Sequence, residues 1–334
     1  MMANRDETRL PRSFYCDASG TISRDLPIRE LAARFREGAG RLWVDVDVTV
    51  RQQVAVLEKV FAFHPLAIED VLNPHSRAKV EEYEGYLIVI LRAVRLDEAT
   101  EDPYDLRTEN LCLFVGQRYL VTVHAGPSRL IESIADLALR NDDVINRGTA
   151  RLAHQVMDAA VDSFFPVLDR VDEFLDGLEE RVFHEFKEEA LRDIFAVKRM
   201  VLSLRRYLAP EREIFNVLTN RPSQLLTQDV QLYYRDIYDH VLRINDALDT
   251  YRDLLSSTME SYLSQVSNRL GQVTKGLTVV ATLSVPFVVV SGMWGMNFDW
   301  LPLQHTRWGF EVMLVAQLAL GGGMLWLLRR KGLF

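Results

Sequence analysis

GLTVVATLSVPFVVVSGMWGMNFDW, residues 276 to 300, decides how the chain is read. From Gly276 to Phe298 it runs 23 residues without a formal charge. About 20 apolar residues in a helix cross a hydrocarbon core of roughly 30 Å. A second apolar run follows from Trp308 to Leu328, broken only by Glu311 near its start. Both close a chain of 334 residues, so the expected layout is a large N-terminal part outside the lipid, held by two C-terminal spans. The competing reading is a buried helical hairpin in a soluble core. The length of the runs and the basic cluster Arg329, Arg330 and Lys331 just past the second argue against it.

The flanks give an orientation. Arg269 and Lys275 precede the first run, and the loop between the runs sets Arg307 and His305 against Asp299. Basic residues favour the cytoplasmic side. The expectation is a multi-pass protein of the inner (plasma) membrane with both termini cytoplasmic and the connecting loop outside.

The rest of the composition excludes several classes. Apolar residues make up 48% and charged residues 26%, which suits a chain with a packed core. A formal net charge of -8 and a pI near 5.5 argue against a nucleic-acid binder. Cys16 and Cys112 are too few and too far apart for a disulfide framework or a zinc knuckle, and fit a reducing compartment. The first 25 residues contain no apolar h-region, so no secretory signal is expected. No Ser/His/Asp elbow, phosphate-cradling glycine loop or HExxH occurs, so neither catalysis nor an organic cofactor is expected.

Working back along the chain, residues 1–30 read as a loose start. The runs RLWVDVDV (41–48), YLIVILRAV (86–94) and LCLFVGQRYLVTVH (111–124) read as strands, with helical pieces at 51–62 and 127–140. Together they predict an α/β domain over 31–148, with a hairpin turn at Gly116-Gln117-Arg118. From 149 to 227 helical periodicity dominates and predicts an acidic helical hairpin. Between 169 and 193 ten acids face four bases, either as a solvated face or as a surface that concentrates cations. From 228 onward Ile237, Val241, Ile244, Leu248 and later apolar residues recur every three or four positions. This predicts one helix over 228–296, about 100 Å long, continuous with the first span. Such a stripe cannot be buried by one helix alone and calls for a homo-oligomeric bundle. Pro286 should loosen the backbone inside the span. An external loop (297–307), a second span (308–328) and a basic tail (329–334) complete an α+β chain.

Gly295-Met296-Asn297, closing the first of two C-terminal spans ahead of a basic tail, resembles the CorA family of divalent-cation channels. The stretch 233–283, beginning YYRDIYDH, is similar to that family's long pore helix, and HPLAIEDVLNPHSRAKVEEYEGYLIVIL (64–91) to its N-terminal domain. The resemblance covers most of 40–334. It implies a homopentameric funnel in a lipid bilayer, passing Mg²⁺, or Co²⁺ or Ni²⁺, along the five-fold axis. Gly295, Met296 and Asn297 would form the selectivity filter. Mg²⁺ dehydrates reluctantly, so a ring of Asn297 amides would hold its water shell, and an uncharged ring lets the ion leave. Asn297 is equally suited to cap the helix, and the two roles are compatible. The face in step with it holds Gly292, Val288, Val285, Ala281, Leu277 or Thr278, Thr274 and Gly271. Val285 and Leu277 are candidates for a dewetting gate; ordinary helix packing is the other reading, since sequence does not fix the rotation of the span.

The resemblance also implies a regulatory Mg²⁺ held between subunits by Asp70 and Asp236, with Glu69 and Asp239 assisting and Glu260 at a lower site. Facing carboxylates repel when empty and are clamped by a dication, which gives feedback closure at high internal Mg²⁺. The same acids read alone are caps or surface charges. Several positions depart from the family pattern: Trp294 stands where tyrosine is usual, Leu303 replaces an acid after Pro302, and Gly271, Thr274 and Val288 replace polar or larger residues. These leave open a Zn²⁺ transporter of the ZntB branch, or a membrane-anchored metal sensor or scaffold. His64, His75 and Glu69 match no zinc-ligand spacing.

Overall fold

The computed structural model describes residues 10–180, 188–221, 225, 228–296, 302–303 and 305–331. The chain divides into two units, Met1–Ser257 and Thr258–Phe334.

The first unit is built on a seven-stranded sheet. Its strands are β1 (Arg12–Cys16), β2 (Ile22–Arg24), β3 (Arg41–Asp47), β4 (Lys79–Tyr83), β5 (Tyr86–Leu96), β6 (Leu106–Gly116) and β7 (Tyr119–His124). They lie in the order β2-β1-β3-β7-β6-β5-β4. Only β3 and β7 run parallel; every other neighbouring pair is antiparallel. Helices α1 (Ile28–Glu37), α2 (Arg51–Lys59) and α3 (Pro65–Leu72) cover one face, packing Leu31, Leu57 and Ala67 on Val44, Ile88, Phe114 and Val121. Helix α4 (Arg129–Arg140), the short α5 (Asp143–Asn146) and α6 (Thr149–Asp162) follow β7. Helix α6 lies across β3, β5, β6 and β7 on the opposite face, where the alternate residues Trp43, Val89 and Leu113 are buried. A sheet covered on both sides has no solvated face to mark, which is why β5 reads as a continuous apolar run.

Residues 10–30 are not a loose start, and residues 1–9 of that expectation lie outside the described residues. Residues 12–16 and 22–24 are strands of the sheet, and Phe14 stacks on Trp43 with ring centroids 5.0 Å apart. Strands of five and three residues carry almost no periodicity. It is their pairing with β3, Phe14 opposite Trp43, that defines them. Among the described residues of 149–227 lie three helices rather than the two of a hairpin: α6, α7 (Phe165–Glu180) and α8 (Glu188–Asn220). The chain leaves α6 at Ser163 and starts again with Pro166 in the first turn of α7, where a missing N–H costs nothing.

Ser163 has a second duty. Strand β4 ends opposite Ile90, so β5 beyond that point has a bare edge. Ser163 Oγ accepts from the Val94 N–H at 3.0 Å, and Glu211 Oε1 of α8 accepts from the Arg92 N–H at 2.8 Å. Side chains thus close the edge that a strand leaves open. At the β6–β7 turn, a Cβ on Gly116 would collide with the Tyr119 ring, so only glycine lets the tyrosine fold back.

Helix α9 (Gln228–Trp294) is a single element of 67 residues. Tyr234, Ile237, Val241, Ile244, Leu248 and Leu255 are all buried, the first by a hydrogen bond from its hydroxyl to Ala150 O as well as by packing. Pro286 lies inside the helix without ending it. In the second unit, α9 is followed by α10 (Gly309–Arg330). Both are long and apolar enough to cross a membrane, with mean hydropathy of 1.9 and 1.6 over their most apolar windows. They pack through Ser291, whose hydroxyl accepts from Gln317 Nε2 at 3.2 Å, and through Gly321, where a Cβ would sit 2.6 Å from the Phe287 ring.

Candidate functional site

Asp70 sits in the last turn of α3. That helix starts where it does because Pro65 takes the first position and His64 Nδ1 accepts from the Leu66 N–H at 3.2 Å. The imidazole is therefore a helix cap, and among the described residues no ligand cluster unites it with His75 or Glu69. Asp70 Oδ2 pairs with Lys79 Nζ at 2.7 Å, and the same ammonium reaches Glu81 at 2.9 Å. Burial disfavours the Lys79 charge, but its bonds to Asp70 and Glu81 outweigh this and raise its pKa. The Asp70 carboxylate is thus present, about one-third exposed, and already neutralised by a mobile type of partner. Glu69, beside it, is exposed.

Asp236 and Asp239 lie on the exposed side of α9 near its start. No hydrogen bond or ion pair joins Asp70 to Asp236 among the described residues. Asp236 belongs instead to a cluster that sequence reading missed. One turn on, His240 Nε2 lies 3.9 Å from Asp236 Oδ2, and His240 Nδ1 lies 3.3 Å from Asp162 Oδ1 and 4.0 Å from Asp158 Oδ1. Asp158, Asp162 and His240 each bring one ligand atom within 4.8 Å of the others. His240 Nδ1 and Asp158 Oδ1 are buried without a hydrogen-bond partner, so the short ion-pair distances are not aligned hydrogen bonds. Burial raises the Asp158 pKa, Asp162 adds to it, and His154 and His240 pull it back. This is a set of oxygen and nitrogen donors in which Asp158 and Asp162 repel each other and the two histidines offset this only in part, a condition a dication would relieve. The available signal was two i, i+4 pairs, Asp158/Asp162 on α6 and Asp236/His240 on α9. Sequence does not say that those helices face each other.

In the second unit, Gly271, Thr274, Leu277, Thr278, Ala281, Val285, Val288 and Gly292 are all exposed. They follow steps of three and four and form one uncharged face. Val279 is buried, and Phe287 and Ser291 touch α10. The candidate pore positions are distinct from these three, and Leu270, Val273, Val280 and Val289 elsewhere on the helix are exposed as well. Helix α9 ends at Trp294, and Gly295 N–H closes on Ser291 O at 3.0 Å. Gly292 has open space around it, so no contact within the chain demands glycine there. Met296 is exposed. Asn297 and Asp299 lie outside the described residues, as do residues 181–187 of the acidic stretch. Glu260 is exposed on α9.

Comparison with known proteins gives this geometry a setting. A family model described as "CorA-like Mg2+ transporter protein" matches residues 38–330. The cobalt/magnesium transport protein CorA of Thermotoga maritima is 30% identical over 282 residues, 84% of this chain and 80% of that protein. Among solved structures, the CorA magnesium transporter of Methanocaldococcus jannaschii superposes with a TM-score of 0.83 at 20% identity, over 98% of this chain and 99% of the other. The cytoplasmic domain of ZntB from Vibrio parahaemolyticus matches with a TM-score of 0.60 at 15% identity, over 77% of this chain and 98% of that one. These likenesses to structures establish the fold, which the CorA and ZntB proteins share.

Proposed function

The chain belongs to the family of CorA-like Mg2+ transporter proteins, and from that premise we propose that it conducts hydrated Mg²⁺, with Co²⁺ or Ni²⁺ as further substrates, through a homopentameric pore. The observation that carries this reading is the uncharged face of α9, exposed from Gly271 to Gly292 and leading to Gly295-Met296-Asn297. Five copies of a span with one unpaired uncharged face can join around an axis and line it. A lining without charge does not trap a dication, and an Asn297 ring at its end holds the ion by its water shell. No ATPase motif is present, so membrane potential is the driving force, about 4.6 kcal/mol for a dication per 100 mV. The basic flanks Arg269 and Lys275 before the first span and Arg329, Arg330 and Lys331 after the second support a topology with both termini in the cytoplasm.

The cytoplasmic sensor in this reading is Asp70 together with the cluster around Asp236, extended by Asp158, Asp162 and His240. Mg²⁺ is then both the regulatory ion and the substrate. Intact GMN favours Mg²⁺ over the Zn²⁺ of a ZntB-type transporter, and the uncharged pore face keeps a transport-free sensor as the competing reading. Flux into proteoliposomes, tested with Mg²⁺, Co²⁺, Ni²⁺ and Zn²⁺, separates the three. Mg²⁺ entry that disappears in Asn297→Ala and loses its inhibition by lumenal or cytoplasmic-side Mg²⁺ in Asp236→Asn is the expected result. Zn²⁺-only entry moves the chain to the zinc branch, and absence of flux with every ion refutes transport.

A further inference from the structure

A cavity of about 1160 Å³ opens at the carboxyl ends of β3 and β7, the one parallel pair in the sheet. In sheets of this kind ligands occupy the crevice beyond the strand ends, where successive connections leave for opposite faces. That condition holds here. Strand β3 leads into α2, which packs on one face, and β7 leads into α4, which packs with α6 on the other.

Both signs of charge line the cavity: Asp25, Asp45, Asp47 and Glu132 with Arg12, Arg51 and His124. Asp45 accepts from Thr122 Oγ1 at 2.6 Å and contacts His124 Nε2 at 3.1 Å. Asp47 accepts from the Gly126 N–H at 2.9 Å and from both the N–H and hydroxyl of Thr49. Burial disfavours a charge on His124, but Asp45 and the Gly126 carbonyl overcome it and carry its pKa to about 9, so an imidazolium faces the two aspartates at neutral pH. By contrast, Arg12 of β1 and Arg51 of α2 line the cavity, and among the described residues neither is in an ion pair. The first turn of α2 lies beside them; Val50 at its cap position has no side-chain acceptor, and its carbonyl takes the Gln53 and Val54 N–H groups at 2.9 and 3.3 Å.

We propose that this cavity binds a phosphate-bearing anion of nucleotide size, its phosphates directed at Arg12 and Arg51. Guanidinium forks are donors that match phosphate oxygens two at a time. The volume is of the order that encloses a whole small organic ligand, roughly 300–1,000 Å³, and far beyond that of inorganic phosphate alone. Asp25 and Glu132, exposed on the rim, are acceptors for hydroxyl or amino groups of the ligand's non-phosphate end. The site is separate from the Asp70 and Asp236 sensor and from the pore, and belongs wholly to the first unit.

Titration calorimetry on the full-length protein in detergent, at fixed free Mg²⁺, tests it with ATP, AMP and inorganic phosphate. ATP should bind saturably and about tenfold or more tighter than phosphate. The double variant Arg12→Gln/Arg51→Gln should weaken ATP about tenfold or more, the loss expected when charged hydrogen bonds are removed. Gln52→Trp, an exposed position on the lining, should block the cavity without touching a charge, while the exposed control Arg107→Gln should leave binding intact. No saturable binding of ATP, equal affinity for phosphate and ATP, or unchanged ATP affinity in both the double variant and Gln52→Trp would each overturn the proposal.

Discussion

Glu211 carries a carboxyl group into a place that water does not reach. Its side chain is 1% exposed, Oε1 accepts the Arg92 N–H, and Oε2 has no partner. Burial pushes its pKa up to about 8, against a smaller pull from Arg92. A raised folded-state pKa means that the native protein holds the proton more tightly than the unfolded chain. Stability is therefore fully present below about 4.5 and is lost progressively as pH rises through 8. Glu211→Gln stays neutral at every pH. Thermal melts of the variant should match those of the parent near pH 5 and exceed them at pH 8.5; parallel curves at both values would show that Glu211 does not titrate on folding. Lys79 makes a different kind of prediction. Its ammonium already occupies Asp70 at 2.7 Å, so any dication at Asp70 must displace it. Lys79→Ala should lower the Mg²⁺ concentration that half-inhibits flux by up to about fivefold, the weight of a partly exposed ion pair. A rise in that concentration would mean that Lys79 positions Asp70 rather than competing for it. At this scale the sequence was least informative. Asp70 and Asp236 were reached through family resemblance, and Asp158 and His240 not at all, because a donor set made by two facing helices has no linear spacing.

The helices and strands were read unevenly, for physical reasons. Helix α9 was legible because a stripe kept over many turns has one explanation. Strand β1 was not, because a strand of five residues owes its existence to its neighbours β2 and β3. The boundary between α6 and α7 was hidden because Ser163 reads as helix surface, while its hydroxyl serves the Val94 N–H of another element. The contact of α9 with α10 was hidden too, since three consecutive glycines at 321–323 look alike. Only Gly321 faces Phe287; Gly322 and Gly323 have open space. Gly321→Val should destabilise the pair by about 1–3 kcal/mol through overpacking, while Gly323→Val should change little. Thermal stability in detergent reads both, and Phe287→Ala should restore much of the Gly321→Val loss, because it removes the ring that the new side chain meets. Equal effects at 321 and 323 would refute this packing.

At the scale of the whole molecule, both spans leave large apolar side chains exposed: Leu277, Val285 and Val288 on α9, Phe310, Val315, Leu318 and Trp326 on α10. Water does not tolerate such a surface, so lipid or protein must cover it. The family, the membrane and the order of soluble part before spans were all legible from the C-terminal runs, since the thickness of a bilayer is a ruler that any sequence must obey. The three-layer packing of the first unit was not, because a sheet buried on both faces erases the alternation that would reveal it.

Helix α9 bears Asp236 eight residues after its first and hands the chain to Gly295 directly after its last. In an unbroken helix, each inserted residue turns everything downstream by about 100° and moves it about 1.5 Å. If the Asp236 cluster controls the Asn297 end of the helix as proposed, angular phase is written into the spacing itself, and the number of residues between the two is as constrained as their identities. Two turns, seven residues, return almost to the starting angle, within about 20°. A single alanine inserted after Ser264 should leave dications bound at the Asp236 cluster yet abolish their inhibition of flux, and a seven-residue helical insert there should bring inhibition back. Inhibition that survives the single insertion would mean the message does not travel along this helix. If it does, homologous chains can lengthen or shorten this segment only in steps that preserve its phase, such as about seven, eleven or eighteen residues.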